Sequence, residues 1–147
     1  MNPLVVAITG ASGASLARSA IDRLLDMQTP VELICSTAGR LVWAEELDES
    51  FGSAIERWQA SPNFAHYGIG QINARIASGS FSTQGMLIIP CSMNTVASIA
   101  HGISENLIQR CADVTIKEKR KLVIVPRESP LSTIHLENML RLANLGA

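Results

Sequence analysis

Residues 4–13 read LVVAITGASG, and this stretch decides the fold class. The five apolar residues from Leu4 to Ile8 are rich in β-branched side chains, which is typical of a buried parallel strand. Gly10-Ala11-Ser12-Gly13 follows at once, and apolar residues then recur at helical spacing from Leu16 to Leu25. A strand, a glycine turn and a helix in this order predict a βα unit.

The same alternation continues along the chain. Further strands are predicted at 31–35, 86–89 and 122–125, with Pro90 closing the second of these three. Helices are predicted at 38–46, 55–59, 95–100, 105–117 and 131–145, the last two with Ser104 and Ser129 as candidate N-caps. The rest of 48–84 is polar and irregular, and we interpret it as a long functional loop. Alternating strands and helices predict an α/β fold with a parallel sheet covered on both faces.

Composition excludes several classes of function. The chain has 147 residues, 47% hydrophobic and 17% charged, with a formal net charge of -1, so we expect one domain over 1–147 that binds no nucleic acid. Its three cysteines lack a CxxC pair, which favours a reducing cytoplasm over a disulfide framework or zinc site. No signal peptide is visible, and no apolar run reaches the ~18 residues of a membrane span.

The candidate chemistry lies where strands end, since ligands of parallel sheets bind at the carboxyl ends of the strands. The turn at 10–13 precedes a helix, whose free N–H groups suit an anion; close packing of strand and helix would also explain its small residues. The segment PCSMNT at 90–95 suits a phosphate or the polar edge of a flavin, although helix capping by Ser92 or Asn94 is an equal alternative.

Charged residues form a second group of candidates. Arg110 and Lys117 are seven residues apart on one predicted helix and share a face. Arg127 and Glu128 follow a strand, where a cation beside a carboxylate suggests phosphate binding with acid–base chemistry nearby. Surface ion pairs are the alternative for each of these charges. The three histidines favour structural roles, and none has the spacing of a metal ligand with a partner, so no metal is expected.

Taken together, these segments resemble the UbiX-type flavin prenyltransferases. The matching stretches are GASGA at 10–14, Ser36, Glu46, SGSF at 78–81, PCSMNT at 90–95, a long block over 106–140 and NLGA at 144–147. The resemblance implies a flavodoxin-like (Rossmann-like) three-layer sandwich that assembles as a homo-oligomer, typically a dodecamer, with active sites at subunit contacts. It also implies transfer of dimethylallyl from dimethylallyl monophosphate to reduced FMN. The prenylated FMN would serve UbiD-type decarboxylases in ubiquinone synthesis or aromatic acid decarboxylation.

The resemblance also implies roles for individual residues. Those expected to bind FMN are Gly10, Ala11, Ser12, Ser36, Ser92, Met93, Asn94, Thr95 and Arg127. Those expected to surround the prenyl phosphate are Glu46, Arg110, Lys117 and Glu128. Fixed cations would stabilise the charge that develops on a departing phosphate, and Glu128 could relay a proton.

Two departures from the family pattern accompany the resemblance. Leu16 stands where the family usually has a tyrosine, and the family continues past residue 147 with a strand and a helix that supply a tyrosine and an arginine. We therefore expect a C-terminally truncated domain. Two other functions are carried forward: a non-catalytic FMN-binding accessory subunit of an aromatic-acid decarboxylase, and a flavin-dependent decarboxylase of the cysteine type that relies on a catalytic histidine.

Overall fold

A computed structural model describes residues 1–147. Five strands and six helices alternate along the chain, with one short 3₁₀ turn at Arg75–Ala77. In order they are β1 Leu4–Ile8, α1 Ala14–Asp26, β2 Val31–Cys35, α2 Thr37–Glu46, α3 Phe51–Gln59, β3 Phe64–Tyr67, β4 Gly85–Cys91, α4 Met93–Ala100, α5 Leu107–Lys117, β5 Lys121–Pro126 and α6 Thr133–Asn144. None of these helices is long and apolar enough to span a bilayer.

The strands form one parallel sheet in the order β3-β2-β1-β4-β5. β1 lies at its centre, where Leu4 pairs with Val31 on one side and with Gly85 on the other. From β1 the sheet grows to one side through β2 and to the other side through β4, so the strand order reverses at β1. Doubly wound sheets bind ligands at the carboxyl end of such a switch point. The predicted α/β sandwich with a parallel sheet is confirmed.

Two apolar cores lie on opposite faces of the sheet because successive strand residues point to opposite sides. Val6, Ile8 and Leu33 face α1, α2 and α3. Val5, Ala7 and Ile88 face the 3₁₀ turn, α4, α5 and α6. Trp43 is fully buried in the first core and makes edge-on contacts with Phe51 and Trp58.

Several helices and strands begin or end at residues other than those predicted from the sequence. The loop interpretation of 48–84 misses β3, an edge strand of four half-buried residues, and the extension of α3 back to Phe51. Pro90 lies inside β4 instead of ending it, where the register with β5 shifts between Ile88 and Cys91. Asn106, and not Ser104, caps α5. Ser132, and not Ser129, caps α6, where His135 completes a capping box.

Candidate functional site

Three loops converge at the carboxyl edge of the sheet around the switch point. A Cβ on Gly10 would lie 2.4 Å from the Cβ of Ala38, so the first loop packs directly against the start of α2. Gly13 has a φ of 129°, a conformation that favours glycine, and a Cβ there would lie 3.3 Å from Pro90. The loop 10–13 therefore touches both Ser36–Ala38 and the end of β4, as the sequence predicts for strand ends of a parallel sheet.

Glu46 lies directly on the N-terminus of α1. Its carboxylate accepts hydrogen bonds from the Gly13 amide at 3.1 and 3.3 Å and from the Ala14 amide at 3.1 Å. The amide of Gly13 and the hydroxyl of Ser12 lower the pKa of the Glu46 carboxyl from its usual value, and the charge of Arg127 acts in the same direction. The anion that the sequence led us to expect on this helix is thus supplied by the chain itself.

The N-termini of α2 and α4 are capped differently. The Ser36 hydroxyl accepts from the Gly39 amide at 3.0 Å, and the Ser92 hydroxyl accepts from the Thr95 amide at 3.2 Å. Both serines therefore have the capping role that the sequence allowed. The Ser36 hydroxyl still has a proton to donate, while the Ser92 hydroxyl also shares a hydrogen bond with the Thr95 hydroxyl at 3.0 Å. The first amides of each helix, Met93 and Asn94 in α4, have no intrahelical acceptor and can bind an incoming anion.

Thr9 was missed as a site residue, although it directly follows β1. Its buried hydroxyl donates to the Pro90 carbonyl at 2.8 Å and accepts from the Ser92 amide at 2.8 Å. The Ser92 amide is therefore not free for a ligand.

Arg127 and Glu128 follow β5 at the same edge. The Arg127 amide donates to the Cys91 carbonyl at 3.2 Å, which holds this segment beside the β4–α4 loop. Its guanidinium is exposed and takes part in none of the ion pairs of the chain. The Glu128 carboxylate is exposed and accepts only from the Ser129 amide, at 3.0 Å. A free cation thus lies near the Glu46 carboxylate and the amides of α4.

Arg110 and Lys117 lie elsewhere in the chain. α5 runs back along the sheet, and Lys117, its last residue, precedes the start of β5, where Lys121 pairs with Gly85 at the amino edge. The Lys117 ammonium pairs with Glu118. Arg110 donates to the Ala77 carbonyl at 3.1 Å and pairs with Asp113 at 3.2 Å. Within one chain, Lys117 therefore lies about one strand length away from Glu46 and Glu128, which are at the carboxyl edge.

Arg120 is a second residue that the sequence did not single out. Arg120 follows the end of α5, and its guanidinium donates to the carbonyls of Gly79 at 2.6 Å and Phe81 at 2.9 Å. A Cβ on Gly79 would lie within 2.8 Å of the Lys117 ammonium. Arg120 therefore fixes the 78–81 segment beside Lys117.

The remaining nucleophilic and basic side chains have structural surroundings. Burial raises the pKa of the Cys91 thiol to about 12, so it is a neutral buried thiol and not a nucleophile. His66 is half-buried against Phe51, and burial lowers its pKa. His101 bonds Asn138 at 2.9 Å, and His135 accepts from the Ser132 amide. No cluster of three or more His, Cys, Asp or Glu side chains is arranged to hold a metal ion.

The carboxyl edge fits a flavin mononucleotide. Free amides at two helix N-termini, two capping serines and an unpaired arginine surround the switch point, and this donor set suits one phosphate and the polar rim of a planar ring. The exposed side chains of Arg127 and Glu128 leave this edge open to solvent in the single chain.

Comparison with known proteins identifies the family. A family model described as Flavoprotein matches residues 1–147. The chain is 48% identical over 148 aligned residues to the flavin prenyltransferase LpdB of Lactiplantibacillus plantarum, an alignment that covers 100% of this chain and 76% of the relative. The chain belongs to the flavoprotein family and, within it, to the flavin prenyltransferases of the UbiX type.

Solved structures agree with this assignment. A dodecameric FMN-dependent UbiX-like decarboxylase from Escherichia coli superposes with a TM-score of 0.92 at 41% identity, covering 99% of this chain and 76% of that one. AnUbiX in complex with FMN and dimethylallyl pyrophosphate superposes with a TM-score of 0.93 at 38% identity, covering 99% and 75%. The chain spans about three-quarters of the length of these proteins.

Proposed function

We propose that this chain transfers a dimethylallyl group from dimethylallyl monophosphate to reduced FMN and releases prenylated FMN. The 48% identity to a flavin prenyltransferase over the whole chain carries the proposal. The convergence of the Gly10–Gly13, Ser36 and Ser92–Thr95 loops with Arg127 supports it, because these groups suit a phosphate and a polar ring edge.

In this proposal the carboxyl edge of one chain holds FMN. The glycine turn at Gly10, Ala11 and Ser12 allows close backbone approach at the switch point. Ser36 and the α4 segment Ser92, Met93, Asn94 and Thr95 offer hydroxyl and amide donors. Arg127 offers an unpaired cation at this edge, suited to a phosphate or to the charge of a reduced ring. Reduced FMN supplies the nucleophilic ring atoms that accept the allyl group.

The prenyl phosphate would lie between copies of the chain. Lys117 lies toward the amino edge, and Arg110 is engaged with Ala77 and Asp113, so we propose that α5 of a neighbouring copy brings these two cations to the flavin edge. As the allylic carbon–oxygen bond breaks, phosphate leaves with the electron pair, and the cations stabilise the charge it gains. Glu128 would relay a proton at its carboxylate, and Glu46 would orient the Ser12 hydroxyl.

A homo-oligomer, which we propose to be a dodecamer, follows from this arrangement. Apolar side chains that are unusually exposed for a single chain support it, among them Ile134 at 68% and Leu140 at 62% exposure on α6. We further propose that a UbiD-type decarboxylase of aromatic acids receives the product, in ubiquinone synthesis or phenolic acid breakdown. The cytoplasmic location stays a prediction.

A mass spectrum of the flavin tests the proposal. The protein would be incubated without oxygen with reduced FMN and either dimethylallyl monophosphate or the diphosphate, with Lys117→Ala as the inactive control. We expect FMN heavier by one prenyl group with the monophosphate and unmodified FMN in the control. Unmodified FMN in every arm would contradict the transferase.

One alternative has an observation in its favour. Within a single chain Arg110 and Lys117 are both paired with acidic neighbours, and Lys117 lies toward the amino edge, so an isolated chain would have only an FMN half-site. A non-catalytic FMN-binding subunit would give the same structure, and it would retain FMN in the assay above without prenylating it. The cysteine-type decarboxylase has less support, because one ring nitrogen of His101 and one of His135 are engaged in structural hydrogen bonds, and His66 packs against Phe51.

A further inference from the structure

Thr9 connects the two loops that meet at the switch point. It is 2% exposed, it follows β1, and its hydroxyl bonds the Pro90 carbonyl and the Ser92 amide, each at 2.8 Å. Its own amide also donates to the Pro90 carbonyl, at 3.2 Å. One side chain thus fixes both peptide groups that flank Cys91, more than eighty residues away in sequence.

We propose that Thr9 is a positioning residue for FMN, which acts by directing the start of α4 toward the ligand. The proposal rests on the FMN site proposed above. With the Ser92 amide turned to Thr9 and the Thr95 amide turned to the Ser92 hydroxyl, the amides of Met93 and Asn94 are the donors left at this terminus. The hydroxyl of Thr9 therefore determines which donors of the loop face the ligand.

The hydroxyl, and not the volume of the side chain, carries this role. Valine has nearly the same shape as threonine but neither donates nor accepts, so Thr9→Val leaves the Ser92 amide and one Pro90 carbonyl lone pair without their partner in a buried place. The Ser92 peptide is then free to rotate, and the Met93 and Asn94 amides lose their fixed direction. Serine keeps the hydroxyl and should keep the function.

A matched control separates positioning from general destabilisation. Thr115 is 3% exposed on α5, and its hydroxyl donates to the Cys111 carbonyl at 2.7 Å, away from the flavin loops. Thr115→Val therefore removes a buried threonine hydroxyl of the same kind without touching the site. Both valine variants should lower the thermal midpoint.

The test is the dissociation constant for oxidised FMN, measured by quenching of flavin fluorescence, together with the visible circular dichroism of the bound flavin. We expect Thr9→Val to weaken FMN binding about tenfold and to change the dichroism, because one buried donor loses its partner. Thr9→Ser should stay within about twofold of wild type, and so should Thr115→Val. Equal FMN affinity in both valine variants, or a serine variant that behaves like valine, would overturn the proposal.

Amide hydrogen exchange of the wild-type chain tests the same point even where Thr9→Val does not fold. The Ser92 amide should be protected without FMN and change little when FMN is added, while the Met93 and Asn94 amides gain protection. A Ser92 amide that becomes protected only with FMN would overturn the positioning role and leave the proposed function standing. A wild-type chain that does not bind FMN would overturn both.

Discussion

At the carboxyl edge of the sheet Arg127 has no carboxylate partner, whereas on α5 Lys117 is paired with Glu118 and Arg110 with Asp113. The unpaired cation lies among loops that fit a flavin. The paired cations are neutralised by their own neighbours, and both exposed pairs are of the kind that contributes little to stability. We propose that this difference reflects two half-sites: one would bind its ligand in a single chain, and the other would exchange an acidic neighbour for a ligand.

The largest effect that tests this comparison is complementation between two inactive variants. Lys117→Ala and Arg127→Ala each remove a cation from a different half-site, and each should lower prenyl transfer at least a hundredfold. When the two proteins are unfolded together and reassembled in equal amounts, about a quarter of the sites would combine two intact halves from different copies. Transfer measured by flavin mass should recover to that level.

Two controls accompany the mixing experiment. Each variant reassembled alone should stay inactive, and Lys121→Ala, which removes an exposed lysine four residues from Lys117, should stay active. If the mixture is no more active than its components, both half-sites belong to one chain and the comparison fails.

The next effect is on FMN affinity. Arg127→Ala should weaken FMN binding about ten- to a hundredfold, since a charge-assisted hydrogen bond is worth about 1.5–3 kcal/mol. Arg110→Ala should leave it within about twofold, because Arg110 contacts Ala77 and Asp113 instead of the flavin loops. Fluorescence titration measures both, and equal losses in the two variants would remove the distinction between the half-sites.

A smaller effect is expected at Arg120, which holds the 78–81 segment beside Lys117. Arg120→Ala leaves the carbonyls of Gly79 and Phe81 without their donor, and should cost about 1–3 kcal/mol in the free energy of unfolding by urea. FMN affinity should not change, because this segment is far from the carboxyl edge. A variant that loses FMN affinity but no stability would contradict this placement.

The smallest effect is the pH dependence of stability due to Glu46. Its pKa is lowered in the folded chain, so its contribution is present above the ordinary carboxyl pKa of 4.5 and is lost as the pH falls through the lowered value. Glu46→Gln should cost about 0.5–1 kcal/mol at pH 7, a capping energy discounted for solvent exposure. The difference from wild type should vanish in urea titrations at acid pH. A difference that grows toward acid pH would contradict the hydrogen bonds to Gly13 and Ala14.

Sequence patterns predicted most of the sheet because runs such as Leu4–Ile8 and Val31–Cys35 consist mainly of apolar residues that are buried on both faces. β3 was missed because its residues Phe64–Tyr67 are half-buried at an edge and lack such a run. Pro90 lies inside β4 at a local shift in the register with β5, and such a shift cannot be predicted from the pattern of residues.

The sequence allowed us to predict where in the fold the site lies, but not which residues contact one another there. Strand ends meet at one edge in any parallel sheet, so the meeting of Gly10, Ser36 and Ser92 followed from their positions in the sequence. The contact of Glu46 with α1 depends on how α2 docks, and the partner of the Thr9 hydroxyl lies more than eighty residues away. The separation of Lys117 from the flavin edge could have been foreseen, because a helix between parallel strands must run back to the amino edge.

The Glu46 carboxylate gives helix α1 its own counterion. A glycine turn whose only counterion is a ligand is not ordered before the ligand binds, and the free energy of ordering it then reduces the net affinity. Here the turn is closed by a residue of the same chain, so its conformation does not depend on occupancy. The free-energy cost of ordering this loop is therefore part of folding, and the FMN that we propose as ligand would meet a loop that is already ordered.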